Sequence, residues 1–405
     1  MVELKIERLG HHGDGIAEGP VYVPLTLPGE LVSGDLEGDR LTGVRIERPS
    51  DQRVKPPCRH FKSCGGCQLQ HASDAFVSDW KLGVVVQALA AQGLEAEMRP
   101  IATSPPAARR RAVLSARRTK KGALVGFHQR ASDVICEIPD CRLLHPDLMA
   151  AIPVAEALAV TGASRKGALS VNATLTSGGL DIAVTGGKPL DGPFLSQLAQ
   201  EAEKLGLARL SWEGEVVATR QPPVQRFGRA NVVPPPGAFL QATQQGEASL
   251  LAAVVEAVGE AGKQGVDLFA GCGTFTLPLA ETFEMHAIEY DAPMLEALDK
   301  GWRAAEGLKK VTTEARDLFR NPLIPQDLKY DFVVIDPPRA GAEAQVRELA
   351  GSSVPVIAYV SCNPVTFARD AAILVAAGYQ LDWVQVVDQF RWSSHIELAA
   401  RFSAI

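Results

Sequence analysis

The chain has 405 residues, 46% of them hydrophobic and 22% charged, a balance that fits a folded protein of two or three domains and excludes a disordered or fibrous one. Its 41 Lys and Arg against 47 Asp and Glu give a formal charge of −6, which excludes a uniformly basic binder and leaves only a local basic face open. No apolar run approaches the roughly eighteen residues of a membrane-spanning helix, and the start Met1-Val2-Glu3-Leu4-Lys5 lacks the basic and apolar segments of a secretion signal. A cytoplasmic protein with no membrane partner is expected.

Residues 1–48 read as short strands, Val2–Arg8, Pro20–Pro24, Leu31–Leu36 and Leu41–Glu47, with turns at Gly13-Asp14-Gly15 and Leu27-Pro28-Gly29. So many strands in so short a stretch predict a small barrel. A loop rich in Pro and Cys follows from Pro49 to His71, and within Trp80–Gln92 the residues Leu82, Val85, Val86, Leu89 and Ala90 recur at helical spacing. Residues 49–225 read as a central α+β domain. Within it, Arg99 to Arg130 carries nine Lys and Arg and no Asp or Glu, in two main groups that flank the strand-like Ala112–Ala116. A solvated edge that discourages strand pairing is the plain reading; in an acidic chain this density favours a basic hairpin that meets phosphates.

The Pro-rich stretch Gln221–Gly237 reads as an interdomain connection. After it, strand candidates Gly265–Phe269, His286–Glu289, Phe332–Ile335, Val356–Val360 and Val384–Val387 alternate with helical stretches such as Ser249–Val258 and Met294–Ala304. This pattern predicts a doubly wound α/β domain over 226–405 with a mainly parallel sheet.

The first strand of that domain runs into Phe269-Ala270-Gly271-Cys272-Gly273-Thr274, a glycine turn that lets a ligand approach the backbone. Its spacing is neither the dinucleotide fingerprint nor a P-loop. Glu289 ends the next strand, where a carboxylate can accept two ribose hydroxyls. Asp336-Pro337-Pro338-Arg339 closes the strand Phe332–Ile335 at the cleft mouth. Together these resemble the Rossmann-like S-adenosylmethionine-dependent methyltransferases. Members that methylate base nitrogens usually carry an aromatic where Arg339 stands, which argues against adenine as the target.

Cys362, in Ser361-Cys362-Asn363-Pro364, stands at a strand end before a helix, where amide dipoles can stabilise a thiolate; a buried apolar cysteine is the plain alternative. Glu397 lies in the otherwise apolar strand Ile396–Phe402. The C5 carbon of a pyrimidine is a poor nucleophile until a thiolate adds at C6, and a base must then remove the C5 proton. Cys362 and Glu397 supply those two roles.

With these residues the chain resembles, over essentially its whole length, the bacterial iron–sulfur RNA uracil-C5-methyltransferases, which make 5-methyluridine in 23S rRNA and tRNA. The resemblance implies that residues 1–48 are a TRAM barrel, an OB-like RNA-binding module, with Leu27-Pro28-Gly29-Glu30 at its usual place. It implies a 4Fe–4S cluster on Cys58, Cys64, Cys67 and Cys141. Spacing alone leaves structural zinc open, and Cys136 is the rival fourth ligand, set aside because Leu143-Leu144 follows Cys141. It further implies S-adenosylmethionine contacts at Gln241, Phe269, Thr274, Glu289, Asp317 and Asp336, with Cys362 as nucleophile and Glu397 as base. The expected substrate is RNA, 23S rRNA first and the tRNA T-loop second, and a monomer is expected. Two departures stand out: Ala270 and Cys272 in the glycine loop, with Cys272 read as packing, and Phe390-Arg391-Trp392-Ser393-Ser394 where relatives commonly show Phe-Pro and polar residues. A non-catalytic metal-binding RNA-binding protein is the reading from another class.

Overall fold

The computed structural model describes residues 1–405. β1 (Val2–Leu9), β2 (Gly15–Ala17), β3 (Val21–Val23), β4 (Leu31–Glu37) and β5 (Arg40–Arg48) close into a barrel in the order β1-β2-β3-β5-β4 around Ile6, Ala17, Val23, Val32 and Leu41. β2 replaces part of the expected turn. Gly15 is already a strand residue, and a Cβ there would lie 2.1 Å from Thr26 Oγ1. The Leu27–Glu30 corner buries the Glu30 carboxylate completely, where it accepts the N–H groups of Leu27 and Ser50 and pairs with Arg53 at 2.5 Å.

After the cysteine-bearing loop come α1 (Asp74–Ala90) and β6 (Glu97–Thr103). α1 starts earlier than its apolar spacing predicts because Ser73 caps it, its side chain accepting the Phe76 N–H at 3.2 Å. The central layer is a seven-stranded sheet in the order β13-β12-β11-β10-β7-β8-β9. It comprises β7 (Arg111–Arg118), β8 (Ala123–His128), β9 (Ile135–Glu137), β10 (Leu169–Thr176), β11 (Gly179–Thr185), β12 (Arg209–Trp212) and β13 (Glu215–Thr219). α2 (Ala151–Gly162) and α3 (Gly192–Lys204) contribute Leu158 and Leu198 to the core that Leu114, Val171, Ile182 and Trp212 build from the sheet. The expected basic hairpin is β7–β8, with Arg117 opposite Leu124. The Pro-rich connection is itself structured: β14 (Gln225–Phe227) and β15 (Ala230–Val232) pair, and Phe227, Ala230 and Val232 enter the C-terminal core.

The remaining elements are α4 (Gln244–Val258), β16 (Gln264–Leu268), α5 (Thr276–Leu279), β17 (Glu284–Glu289), α6 (Ala292–Ala304), β18 (Val311–Ala315), β19 (Phe332–Ile335), α7 (Glu343–Ala350), β20 (Val356–Ser361), α8 (Pro364–Ala376), β21 (Tyr379–Asp388) and β22 (Glu397–Ala404). They form an eight-stranded sheet ordered β18-β17-β16-β19-β20-β22-β21-β6, with β22 antiparallel to both its neighbours. β18 escapes the sequence reading because Thr312, Thr313 and Glu314 interrupt the apolar pattern of an edge strand.

Sequence order and spatial order part at one point. The sequence assigns residues 49–225 to the central domain, yet β6 pairs in parallel with β21, from Glu97 opposite Trp383 to Thr103 opposite Asp388. Val85 and Leu89 of α1 are buried in one core with Phe367 and Leu374 of α8. The sheet would otherwise end on the apolar β21, and β6 with α1 covers that edge. No helix is long and apolar enough to cross a membrane.

Candidate active site

Five parallel strands end on one rim of the C-terminal sheet, and the expected residues follow from that alignment. The turn after β16 is tight: Phe269 has φ +64°, Gly271 +55° and Gly273 +90°, and a Cβ on Gly273 would lie 2.8 Å from Leu298. Glu289, ending β17, accepts the N–H of Gly271 at 3.1 Å and those of Tyr290 and Asp291 at 2.7 and 3.0 Å, so its carboxylate faces the glycine turn. Phe269 packs on Phe319 with ring centres 5.5 Å apart, and Asp317 accepts the Phe319 N–H. Thr274 is half-buried at the same turn. Asp336 follows β19 and donates its N–H to Leu268 O at 3.2 Å.

The rim is rich in carboxyl groups that resist ionising. Burial pushes Asp336 up to about 7. Asp267 is also pushed up to about 7, by burial first and then by the charges of Asp336 and Glu289, although it accepts the Thr276 hydroxyl at 2.6 Å. Its Oδ1 is buried without a partner. The sequence reading overlooked Asp267 as a site residue; its signal was a carboxylate inside the apolar run Val266–Phe269.

Cys362 and Glu397 meet at this rim. Ser361 pairs with Leu398 across β20 and β22, so Cys362 leaves one strand beside the residue that begins the other. Asn363 caps α8 and ties this corner to Arg339 O at 2.9 Å. Amide dipoles do not win here. Burial, then the charges of Glu397 and Asp336, push the Cys362 thiol up to about 11, so the resting group is a thiol. Glu397 is 3% exposed, and burial and then Asp336 raise it well above the carboxylate range. Gln389, missed in the sequence, binds Gln241 Oε1 at 2.5 Å and accepts the Ala242 N–H at 2.7 Å. Gln241 is therefore fixed at the back of the rim from the loop that leads to Glu397.

A second cluster lies between the barrel and the central sheet. Cys64 and Cys67 are buried, Cys58 and Cys141 half-buried, and none forms a disulfide. Burial, and then neighbouring thiols, push Cys64 up to about 11 and Cys67 up to about 12. Cys67 feels Cys141, Cys64 and Cys58, whereas Cys136 acts on Cys64 and bonds to Ser63 at 3.6 Å. The N–H groups of Gly66 and Leu143 point at Cys64 Sγ and Cys141 Sγ, at 3.4 and 3.5 Å. No three His, Cys, Asp or Glu side chains are arranged around a single metal ion. Cys272 is packing, as expected, 2% exposed in the core.

Residues 233–403 match the family model described as tRNA (uracil-5-)-methyltransferase. An RNA methyltransferase of Brucella suis is 44% identical over 402 residues, 98% of this chain and 97% of its own length. The 23S rRNA (uracil(1939)-C(5))-methyltransferase RlmD of Chromohalobacter salexigens is 32% identical over 97% of this chain and 87% of its own length. The chain belongs to the RNA uracil-C5-methyltransferase family. In fold, the chain resembles the Pyrococcus abyssi tRNA (uracil-54, C5)-methyltransferase bound to S-adenosyl-L-homocysteine, with TM-score 0.78, 22% identity and coverage of 99% and 100%.

In this methyltransferase the basic stretch divides. Arg99 pairs with Glu256 and lies over Trp383, and Arg110 pairs with Glu247. Arg111 donates to Leu240 O, and Arg130 to Cys67 O. Half-buried Arg109 lies over Phe390, donates to Arg111 O at 3.1 Å and lies near Cys67 and Cys141. These five serve the interior and the domain seams. Lys120 and Lys121, exposed at the tip of the β7–β8 hairpin beside half-buried Arg117 and Arg118, are left to meet solvent or phosphate.

Proposed function

We propose that this enzyme methylates C5 of a uridine in 23S rRNA through a covalent bond between Cys362 and C6. The juxtaposition of Cys362 with the buried Glu397 at a carboxyl-lined rim carries this reading. S-adenosylmethionine, when bound, supplies an electrophilic sulfonium methyl group. Gln241, Phe269, Thr274, Glu289, Asp317 and Asp336 would hold it; the unpartnered Asp267 Oδ1 and the inward-facing Glu289 fit a cationic, hydroxyl-bearing ligand. The Cys362 thiol releases its proton to solvent and its sulfur adds to C6 as the thiolate, which places electron density on C5. After C5 has taken the methyl group, the ionised Glu397 carboxylate accepts the C5 proton, the C5=C6 bond re-forms, and sulfur leaves C6 as the thiolate. The raised proton affinity of Glu397 makes its carboxylate a strong base for that step once its resting proton has been lost to solvent.

The four thiols Cys58, Cys64, Cys67 and Cys141 fit a 4Fe–4S cluster. Cys67 lies within electrostatic reach of the other three, two of the four receive backbone N–H groups, and Arg109 would supply a compensating charge. Methyl transfer from a sulfonium needs no external oxidant or reductant, so the role assigned to the cluster is to fix the fold.

The RlmD relative, similar over nearly the whole chain, favours 23S rRNA; the description of the matched family model favours tRNA. Incubation of unmodified 23S rRNA and tRNA transcripts with methyl-labelled S-adenosylmethionine, followed by nuclease mapping, decides between them. Label as 5-methyluridine in 23S fragments is expected. Label confined to tRNA would overturn the substrate but not the chemistry.

A further inference from the structure

The loop between β21 and β22 carries Gln389 at its start and delivers Glu397 at its end. Its internal hydrogen bonds are few: Ser393 N–H to Phe390 O at 2.9 Å and His395 N–H to Ser393 Oγ at 3.2 Å. Trp392 within it has φ +61°, a conformation that a bulky residue does not choose unaided. The shape is imposed from outside. Trp392 O accepts the N–H groups of Gln68 and Leu69, at 2.8 and 2.9 Å. Arg391 donates to Asp74 and to Ser104 O.

The strongest restraint comes from α1. Lys81 is 0% exposed, and its ammonium donates to Asp388 Oδ1 at 2.6 Å, His395 O at 3.0 Å and Phe390 O at 3.3 Å. Three protons thus reach three acceptors, one at the end of β21 and one on each limb of the loop. Asp388 Oδ1 also accepts the Phe390 N–H at 3.1 Å. A buried ion pair is a poor device for stability alone, since apolar residues of similar volume commonly do as well or better. What this one adds is geometry: it fixes the separation of the two limbs between which Gln389 and Glu397 are set.

We propose that Lys81 is a positioning residue for the reaction, holding the loop Gln389–Ile396 closed so that Glu397 reaches the C5 proton, without itself touching substrate. This rests on the roles proposed for Cys362 and Glu397. When the loop loses its clamp, sulfur still adds to C6 and C5 still takes the methyl group. Proton removal then lags, and the methylated enzyme–RNA adduct outlives its normal lifetime.

The test uses full-length protein, methyl-labelled S-adenosylmethionine and whichever of the 23S rRNA and tRNA transcripts the wild type labels. Lys81→Met is expected to lower turnover at least about tenfold, while a labelled protein–RNA adduct accumulates on denaturing gels and S-adenosylmethionine affinity stays within about twofold. Where the unpaired Asp388 prevents folding, Lys81→Met combined with Asp388→Leu removes the stranded charge, and the same adduct is expected. A folded variant whose turnover falls only with its folded fraction, and which builds up no adduct, would overturn the proposal. RNA containing 5-fluorouridine tests the underlying reading separately. If the wild type forms no adduct with it, the cysteine mechanism fails and the Lys81 proposal fails with it.

Discussion

Cys362 directly follows β20 and Glu397 begins β22, neighbouring strands that run in opposite directions, so the end of one and the start of the other coincide on the rim where the other parallel strands also end. A thiol and a carboxyl that both hold their protons tightly are thereby kept side by side, away from bulk water. In the proposed reaction Cys362 and Glu397 must each lose that proton before sulfur can add to C6 and the carboxylate can act as base.

Cys362→Ala should lower methyl transfer by more than about 10³-fold, because C5 is not activated without addition at C6. S-adenosylmethionine binding, measured by calorimetry, should be unchanged. Residual methylation near the wild-type rate would remove the covalent mechanism.

Glu397→Gln should slow product formation by roughly 10²–10⁴-fold and trap a methylated adduct on Cys362, visible by mass spectrometry of the intact protein–RNA complex. Glutamine keeps the size and the hydrogen-bonding reach of the side chain but cannot take the proton. Rapid release of unadducted product would place the base elsewhere.

S-adenosylmethionine should bind more tightly as pH rises. Asp267 and Asp336, pushed up from the ordinary 3.8 to about 7 at the rim, ionise more readily beside a sulfonium cation, so binding releases protons. Affinity should improve up to about tenfold between roughly pH 6 and pH 8, with proton release detected in buffers of different ionisation enthalpy. The same raised values mean that these carboxyls stabilise the fold at low pH, a contribution lost as pH rises through about 7. A flat affinity profile would mean that neither carboxyl meets the cofactor.

Glu30→Gln should destabilise the protein at neutral pH by about 3 kcal/mol, because it strands Arg53 beside a buried amide. Burial alone would raise the Glu30 pKa, but Arg53 and the Leu27 and Ser50 N–H groups outweigh it and hold the carboxyl below its usual 4.5. A lowered value contributes stability above that pH and loses it as pH falls. Denaturant titrations should therefore show the gap between wild type and variant closing in acid.

Cys64→Ser and Cys141→Ser should purify with little iron and acid-labile sulfide and should melt at lower temperature, whereas Cys136→Ser should retain both. Stoichiometric zinc in place of iron in anaerobically purified wild type would overturn the cluster.

The local signals in the sequence were strong wherever function is concentrated in a turn or at a strand end. The glycine turn after Asp267, Glu289, Asp336-Pro337-Pro338 and Cys362 each occupy a strand terminus, and alternation of strands and helices suffices to align parallel strand ends on one rim. The barrel was legible for a similar reason, since closely spaced turns leave short strands few other ways to close.

Tertiary structure decided what depends on contacts between distant parts of the chain. The pairing of β6 with β21, the burial of Lys81 beneath the loop before Glu397, and the bond of Gln389 to Gln241 each join segments far apart in sequence. A lysine on a helix or an arginine in a basic run looks solvated until a partner folds over it. Five arginines of the basic stretch turned inward for that reason, and Cys362, which its helix end alone would favour as a thiolate, became a tightly held thiol beside two carboxyls. Composition and periodicity fix which groups reach a strand end; the dielectric and the neighbours that set their charge exist only once the strands have come together.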